Sequence, residues 1–272
     1  MYHERGMRTV QIRSIHAWLA DNLQQTGSTL LQVHSSCEKA VTFRQGTHLL
    51  VLTTDHDGPA TAVTSESLLR LVPSNAFGEV ISLLLSSAER WIPPSFDLHP
   101  SSISEEALDQ LQGSIWESGR SALLQRRFLP WVTDAVRALV SEFPRVRRGG
   151  ATLIGLGPGL TPAGDDFLCG FFHVLYHSGL KVDWAELESS AQGTSWIGKE
   201  MLWWACEGVV ARPFEDVLYS LSLGTPQLSE NLQTALTVGH SSGADHLLGL
   251  WFGLLLLQGP GRQEAAEEFR AR

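Results

Sequence analysis

The sequence predicts an α+β protein, with a β-rich part over residues 1–100 followed by a mostly α-helical part over residues 101–272. Three observations carry that prediction. Short β-favouring runs crowd the first third, a proline- and serine-rich connector follows at 92–102, and helical periodicity with cap signals fills the remainder.

In the first part, Leu30–Val33, Ala40–Phe43 and Leu49–Thr53 are β-favouring runs separated by turn-forming residues. Asp55 to Pro59 reads as a turn, and Pro59 to Thr64 as a returning strand. Asp55 and Asp57 also resemble the start of a calcium loop, but the remaining ligands of such a loop are missing. Residues 78–88 add a further strand or a short helix, and periodicity does not choose between them. After the connector, a helix begins at Ser104, and Pro130 to Phe143 is amphipathic until Pro144 stops it. Thr161 to Ser178 reads as a helix with Thr161 as N-cap, Pro162 at its first position and Gly179 closing it. Trp196–Val210, Pro226–Val238 and Gly243–Leu257 supply three more. Nine tryptophans, most of them from Trp116 onward, place large aromatic contacts in or beside that helical core.

Composition narrows the class. Hydrophobic content of 43% with 18% charged residues describes a folded protein, long enough at 272 residues for one large domain or two modest ones. A net charge of −9 argues against nucleic acid or an anionic membrane as partner. Cys37, Cys169 and Cys206 have neither zinc-ligand nor disulfide-framework spacing, which favours a reducing compartment. The first residues lack an apolar signal core, and Leu247–Leu257 is about half a bilayer span. A soluble, cytoplasmic protein with a buried core helix is the expectation.

Residues 155–166, GLGPGLTPAGDD, form the most distinctive stretch. Glycine density lets the backbone turn its N–H groups toward a bound group, and the loop runs into a helix start, a natural anion site. Asp165 and Asp166 fall in the first turn, where the helix dipole stabilises negative charge by about 0.3–1 kcal/mol; simple dipole pairing is the plain alternative to a site. Arg145, Arg147 and Arg148 precede the string, either as a solvated face or as attraction for an anion. A second string repeats the logic: Gly164-x-Asp166-x-Leu168-x-Gly170 matches Gly243-x-Asp245-x-Leu247-x-Gly249, 79 residues on (245 minus 166). The matched spacing suggests two packed helices whose N-termini share one cleft, with Asp165, Asp166 and Asp245 converging on it. Carboxylates further apart than about two helix diameters, roughly 20–24 Å, would exclude that arrangement. Ser242-x-x-Asp245 is also close to a capping box, which needs no ligand.

His173 and His177 share a helical stripe with Asp166 and Gly170 at metal-ligand spacing, but without the intervening Glu of a zincin they read as a polar, partly exposed face. Ser241 or Ser242 beside His240 does not make a nucleophile with its base, because sequence neighbours seldom have that geometry and no nucleophile elbow is present. The candidate catalytic groups are therefore Asp165, Asp166, Asp245 and His240. The candidate binding groups are Gly157, Gly159, Leu160, Thr161 and Gly164 on the first string, with Ser241, Ser242 and Gly243 on the second.

At Gly155–Asp166, and again at Gly239–Asp245, the chain resembles the AllH family of oxamate carbamoyltransferase subunits, which acts in anaerobic allantoin breakdown, a route of purine catabolism. The resemblance runs over nearly the whole chain, including the short strands and the junction at Trp91–Pro94. Where the family pattern usually has serine, this chain has Ala163, which removes a hydroxyl from that place. The resemblance implies transfer between oxalurate and phosphate to give oxamate and carbamoyl phosphate, or the reverse, by an enzyme of several subunits. The implied partners are a small anionic substrate and the other carbamoyltransferase subunits. Backbone N–H groups of Gly157, Gly159 and Leu160 with the Thr161 hydroxyl suit such an anion. Two aspartates beside it call either for Mg²⁺ held by Asp165 and Asp166, or for an Asp acting as general base. Two other readings stand beside this one. Carboxylates at the starts of glycine-containing helices also look like the Mg²⁺-dependent ADP-ribosylglycohydrolase arrangement. A non-catalytic scaffolding subunit would use the same glycines for packing and the same aspartates as caps.

Overall fold

The computed structural model describes residues 8–258 apart from 27–29, 37–39, 46–47, 55–56, 66, 68–71 and 73–76. Cys37 and Asp55 lie outside the described residues. The chain divides into two compact units, Met1–Pro93 and Pro94–Arg272. The first carries a mixed eight-stranded sheet and the second is mostly helical, which is the predicted fold class.

The sheet of the first unit comprises β1 Arg8–Gln11, β2 Ser14–His16, β3 Leu30–Ser36, β4 Ala40–Gln45, β5 His48–Thr53, β6 Thr61–Val63, β7 Val80–Leu84 and β8 Glu89–Trp91, in the order β1-β7-β3-β4-β5-β6-β2-β8. Within residues 78–88 the element formed is a strand, Val80–Leu84. β1 pairs in parallel with β7, and β2 with β8. Because β1 leads directly into β2 and β7 into β8, both ends of the order belong to one pair of chain segments, so the sheet closes on itself. Val10, Ile15, Val33, Val41, Phe43, Leu52 and Ile81 fill its interior. Helix α1, Ala17–Thr26, was not expected from sequence, and buries Leu19 and Leu23. Asp57 is buried and accepts a hydrogen bond from the Ser14 hydroxyl.

In the second unit the helices are α2 Glu105–Ser118, α3 Leu129–Glu142, α4 Arg147–Leu153, α5 Ala163–His177, α6 Trp184–Leu187, α7 Trp196–Cys206, α8 Arg212–Leu223, α9 Leu228–Leu236 and α10 Ser242–Leu257. Ser104 caps α2 by accepting from the Ala107 N–H at 3.2 Å. α5 and α10 are mostly apolar and are buried on almost every side, their few polar side chains included. Among the described residues, no helix is long and apolar enough to cross a membrane.

Three readings of the helical part need correction. α5 starts at Ala163 with Pro162, not Thr161, at the N-cap, so the Thr161 hydroxyl is free for a partner on α10. Proline's fixed φ suits the entry to a helix, and the turn before it bends through glycines, so the helix opens late. His173 and His177 are not on a partly exposed face: they are 0% and 7% accessible. The element that covers them is α8, which the sequence reading did not contain, although Pro213 at its start, Glu215 in its first turn and left-handed Gly224 at its end are ordinary helix signals.

Candidate functional site

The two strings build one place. α5 and α10 are the most extensively packed pair of helices, and they run in parallel: Gly170 lies against His246 and Leu250, Gly249 against Phe167, Gly253 against Phe171 and Val174. A Cβ on Gly170 would collide with the carbonyl oxygen of His246, and one on Gly249 with that of Phe167. These contacts exchange under the 79-residue shift (249 minus 170, and 246 minus 167), so the two helices are related by a pseudo-twofold. The starts of the helices repeat it. Gly164 sits against the Leu153 carbonyl that ends α4, and Gly243 against the Ala235 carbonyl in the last turn of α9. Both N–H groups are already used, Gly164 to Leu156 O at 2.8 Å and Gly243 to Val238 O at 3.0 Å.

At the joined N-termini, the Thr161 and Ser242 hydroxyls lie 3.1 Å apart, and both hydrogen-bond to Asp166. Burial holds the Asp166 carboxyl well above the usual carboxylate range, and nearby Asp245 and Asp165 push it further in that direction. Its Oδ2 is buried and has no hydrogen-bond partner among the described residues. Asp245 sits at the matching place on α10, with its oxygens engaged. Oδ1 accepts from the Ser121 hydroxyl at 2.6 Å and the Leu123 N–H at 3.1 Å, while Oδ2 accepts from the Ala122 N–H at 3.2 Å. Burial, partly offset by these donors, raises it to about 6. Asp165 faces away from this pair. Its Oδ1 accepts from the Gly155 N–H at 2.7 Å and its Oδ2 from the Thr194 hydroxyl, tying the glycine loop to the start of α7. Its carboxyl is also raised, chiefly by burial.

The loop above the carboxyls is held open by its glycines. Gly155, Gly157 and Gly159 have φ of 76°, 107° and 107°, values that side-chain-bearing residues rarely adopt. Among the described residues, the N–H groups of Gly157, Gly159, Leu160 and Thr161 have no protein acceptor. The Leu160 carbonyl accepts from the Ser195 hydroxyl, which also caps α7 through the Gly198 N–H at 2.9 Å. On the other rim His240 is exposed, and Ser241 hydrogen-bonds Asp245.

The structure thus gathers Thr161, Asp166, Ser242, Asp245 and the loop N–H groups, turns Asp165 to the loop's far anchor, and leaves His240 at the surface. Sequence reasoning missed Ser121, Thr194 and Ser195, which reach the strings from other elements and leave no local spacing to detect. It also missed Arg120, exposed next to Ser121 and donating to the Leu236 carbonyl at the end of α9 at 2.7 Å. Arg148, by contrast, is exposed and paired with Glu142, at the end of α4 away from the glycine loop.

Both strings fall inside one stretch with a known counterpart. Residues 153–254 match the family model described as oxamate carbamoyltransferase subunit AllH. The AllH match takes in α5, the intervening helical segment and α10 as far as Leu254, and it starts after the first unit ends. No solved structure matches the chain. The likeness is to a subunit of a carbamoyltransferase, and it covers that segment alone.

Proposed function

We propose that the joined N-termini of α5 and α10 bind a small anionic substrate, phosphate or carbamoyl phosphate, and that Asp166 moves the proton in carbamoyl transfer between oxalurate and phosphate. The observations that carry this reading are a glycine loop whose N–H groups lack a protein acceptor among the described residues and, in the first turn of the helix it leads into, a buried carboxyl oxygen without a hydrogen-bond partner. Helix starts and outward-turned N–H groups favour an anion. A carboxyl kept protonated by burial brings no negative charge against it.

The chemistry then balances. A phosphate oxygen attacks the carbamoyl carbon of oxalurate, the C–O bond forms and the C–N bond breaks. Asp166 donates its proton to the departing oxamate nitrogen and recovers one from the phosphate hydroxyl. In the reverse direction it gives its proton to the phosphate oxygen and takes one from the oxamate nitrogen. Loop N–H groups are suited to the charge that develops on the carbonyl oxygen. Thr161 and Ser242 orient the Asp166 carboxyl, while Asp165 and Asp245 hold the loop and the 121–123 segment in place. Mg²⁺ between Asp165 and Asp166 is the other way to reconcile carboxylates with an anion. It would take Asp165 from its two protein donors and require Asp166 to ionise, so we favour the neutral acid.

A second reading has its own support: Asp165 and Asp245 are fully engaged by protein donors, as a scaffolding subunit would have them. Thermal shift of the whole chain with phosphate, carbamoyl phosphate, oxamate and ADP-ribose, each with and without Mg²⁺, separates these readings. A ligand at 100 times its Kd stabilises by about 2.7 kcal/mol. Stabilisation by carbamoyl phosphate without Mg²⁺, altered in Asp166→Asn, supports the proposal. A response only to ADP-ribose with Mg²⁺ supports a hydrolase. No response from the chain, together with full transferase activity of Asp166→Asn assembled with its partner subunits, supports a scaffold.

A further inference from the structure

The lower half of α5 carries a second cluster of buried polar groups that the carbamoyl chemistry does not use. His173 and Glu215 are 0% accessible and His177 is 7% accessible. One ligand atom from each of the three lies within 4.8 Å of the others. Glu215 Oε2 is 3.1 Å from His173 Nε2 and 3.9 Å from His177 Nε2. Those separations bracket the roughly 3.3 Å expected between donors that each sit about 2.0–2.1 Å from a tetrahedral zinc ion.

The surroundings are those of a ligand set. His177 Nδ1 lies 3.1 Å from the Phe96 carbonyl oxygen, so it carries the hydrogen and donates it there. That leaves a lone pair on Nε2, the nitrogen facing Glu215. A metal-binding histidine is commonly fixed in this way, through a hydrogen bond from its other nitrogen to a backbone carbonyl. The Phe96 ring stacks on the His177 imidazole at 4.1 Å and holds its plane. His177 Nε2 and Glu215 Oε1 are buried without a hydrogen-bond partner among the described residues, as is His246 Nε2, whose ring lies 6.3 Å from that of His173. A pair of histidines one turn apart on one helix, with a carboxylate from another, is a known zinc donor set.

We infer that His173, His177 and Glu215 form a buried binding site for a first-row divalent cation, with nitrogen and carboxylate donors that suit Zn²⁺, and that the ion ties α5 to α8. The role is structural, since all three donors are closed off from solvent. His246 is a further donor beside the cluster.

The test uses the full chain without an affinity tag, stripped with EDTA and titrated with Zn²⁺ against a chromophoric chelator. One Zn²⁺ per chain is expected, with the melting temperature raised by several degrees. Affinity should fall by at least about 100-fold in Glu215→Gln and in His177→Gln, at or beyond the upper range for loss of an outer-shell partner. Co²⁺ in the unaltered chain should give the visible absorption of a tetrahedral site, a readout that does not depend on how the variants fold. Failure of the unaltered chain to bind Zn²⁺ at one equivalent would overturn the inference. So would Zn²⁺ binding of equal strength in both variants, or octahedral Co²⁺ absorption.

Discussion

Asp166 and Asp245 occupy matching places on two parallel helices that meet through the same glycine contacts, yet their carboxyls have different surroundings. Asp245 holds three donors from residues 121–123, while Asp166 holds two hydroxyls and keeps one oxygen without a partner. The difference teaches that duplicating a scaffold does not duplicate a site. The shared geometry fixes where two carboxyls sit, and the segments that arrive from elsewhere decide which keeps an oxygen without a hydrogen-bond partner. The serine that this chain lacks at Ala163 has a counterpart here, since Ser242 occupies the matching position on α10 (242 minus 163 is again 79) and reaches Asp166 from the other helix.

The largest effect should separate the two aspartates by activity. In the assembled enzyme, Asp166→Asn should lower the rate by about 10²- to 10⁴-fold, the usual contribution of a positioned acid or base. The melting temperature of the chain should scarcely move, because the Oδ2 oxygen accepts no hydrogen bond from the described residues. Equal rates for unaltered enzyme and variant, at unchanged stability, would end the assignment.

The reverse pattern is expected at Asp245. Truncation in Asp245→Ala leaves the Ser121 hydroxyl and the Ala122 and Leu123 N–H groups buried without an acceptor, each of which costs about 1–3 kcal/mol. A total of at least about 3 kcal/mol, read by denaturant unfolding, is the expectation. The pH dependence has a defined sign. Folding raises this carboxyl from 3.8 to about 6, so the fold favours its neutral form. Its contribution to stability is complete below 3.8 and is lost as pH rises through about 6. The stability advantage of the unaltered chain over Asp245→Asn should therefore shrink between pH 4 and pH 7. An advantage that grows with pH would mean Asp245 is held ionised.

The pseudo-twofold can be tested by its own symmetry. Alanine in place of a mid-helix glycine ordinarily gains about 1 kcal/mol. Here Gly170→Ala and Gly249→Ala each drive a methyl into a backbone carbonyl of the facing helix, and a loss of about 1–3 kcal/mol is expected from each. Unequal costs, differing by more than about 1 kcal/mol, would show that the two contacts are not equivalent.

Much of this was legible in the sequence because it is local. The glycine strings, their 79-residue spacing and the helices that follow depend on neighbours in the chain, and so do the strands at 30–36, 40–45, 48–53 and 61–63. What was not legible comes from afar. Ser121 reaches Asp245 across 124 residues, and Glu215 reaches His173 across 42. No spacing rule links such pairs. The histidine pair therefore looked like a polar face until α8 was in place over it. The stripe itself was read correctly, and only its burial was missing. Helix α8 could have been found from Pro213, Glu215 and Gly224, but nothing local says that its Glu215 turns inward.

The smallest effect tests the bridge between the two strings. Ser242→Ala removes one hydroxyl from Asp166 and leaves that of Thr161. A single hydrogen bond of this kind is worth about 0.5–1.5 kcal/mol, so activity should fall by roughly tenfold or less. The direction of the pH profile is more telling than the size. The Ser242 hydroxyl acts to lower the Asp166 carboxyl, against burial. Its loss should raise that carboxyl further and carry the limb of the rate profile set by Asp166 to higher pH. Thr161→Val should do the same, because its hydroxyl acts in the same sense. If either variant moves the limb to lower pH, the hydroxyls stabilise the protonated acid, and the two helix starts would cooperate in the opposite sense from the one argued here.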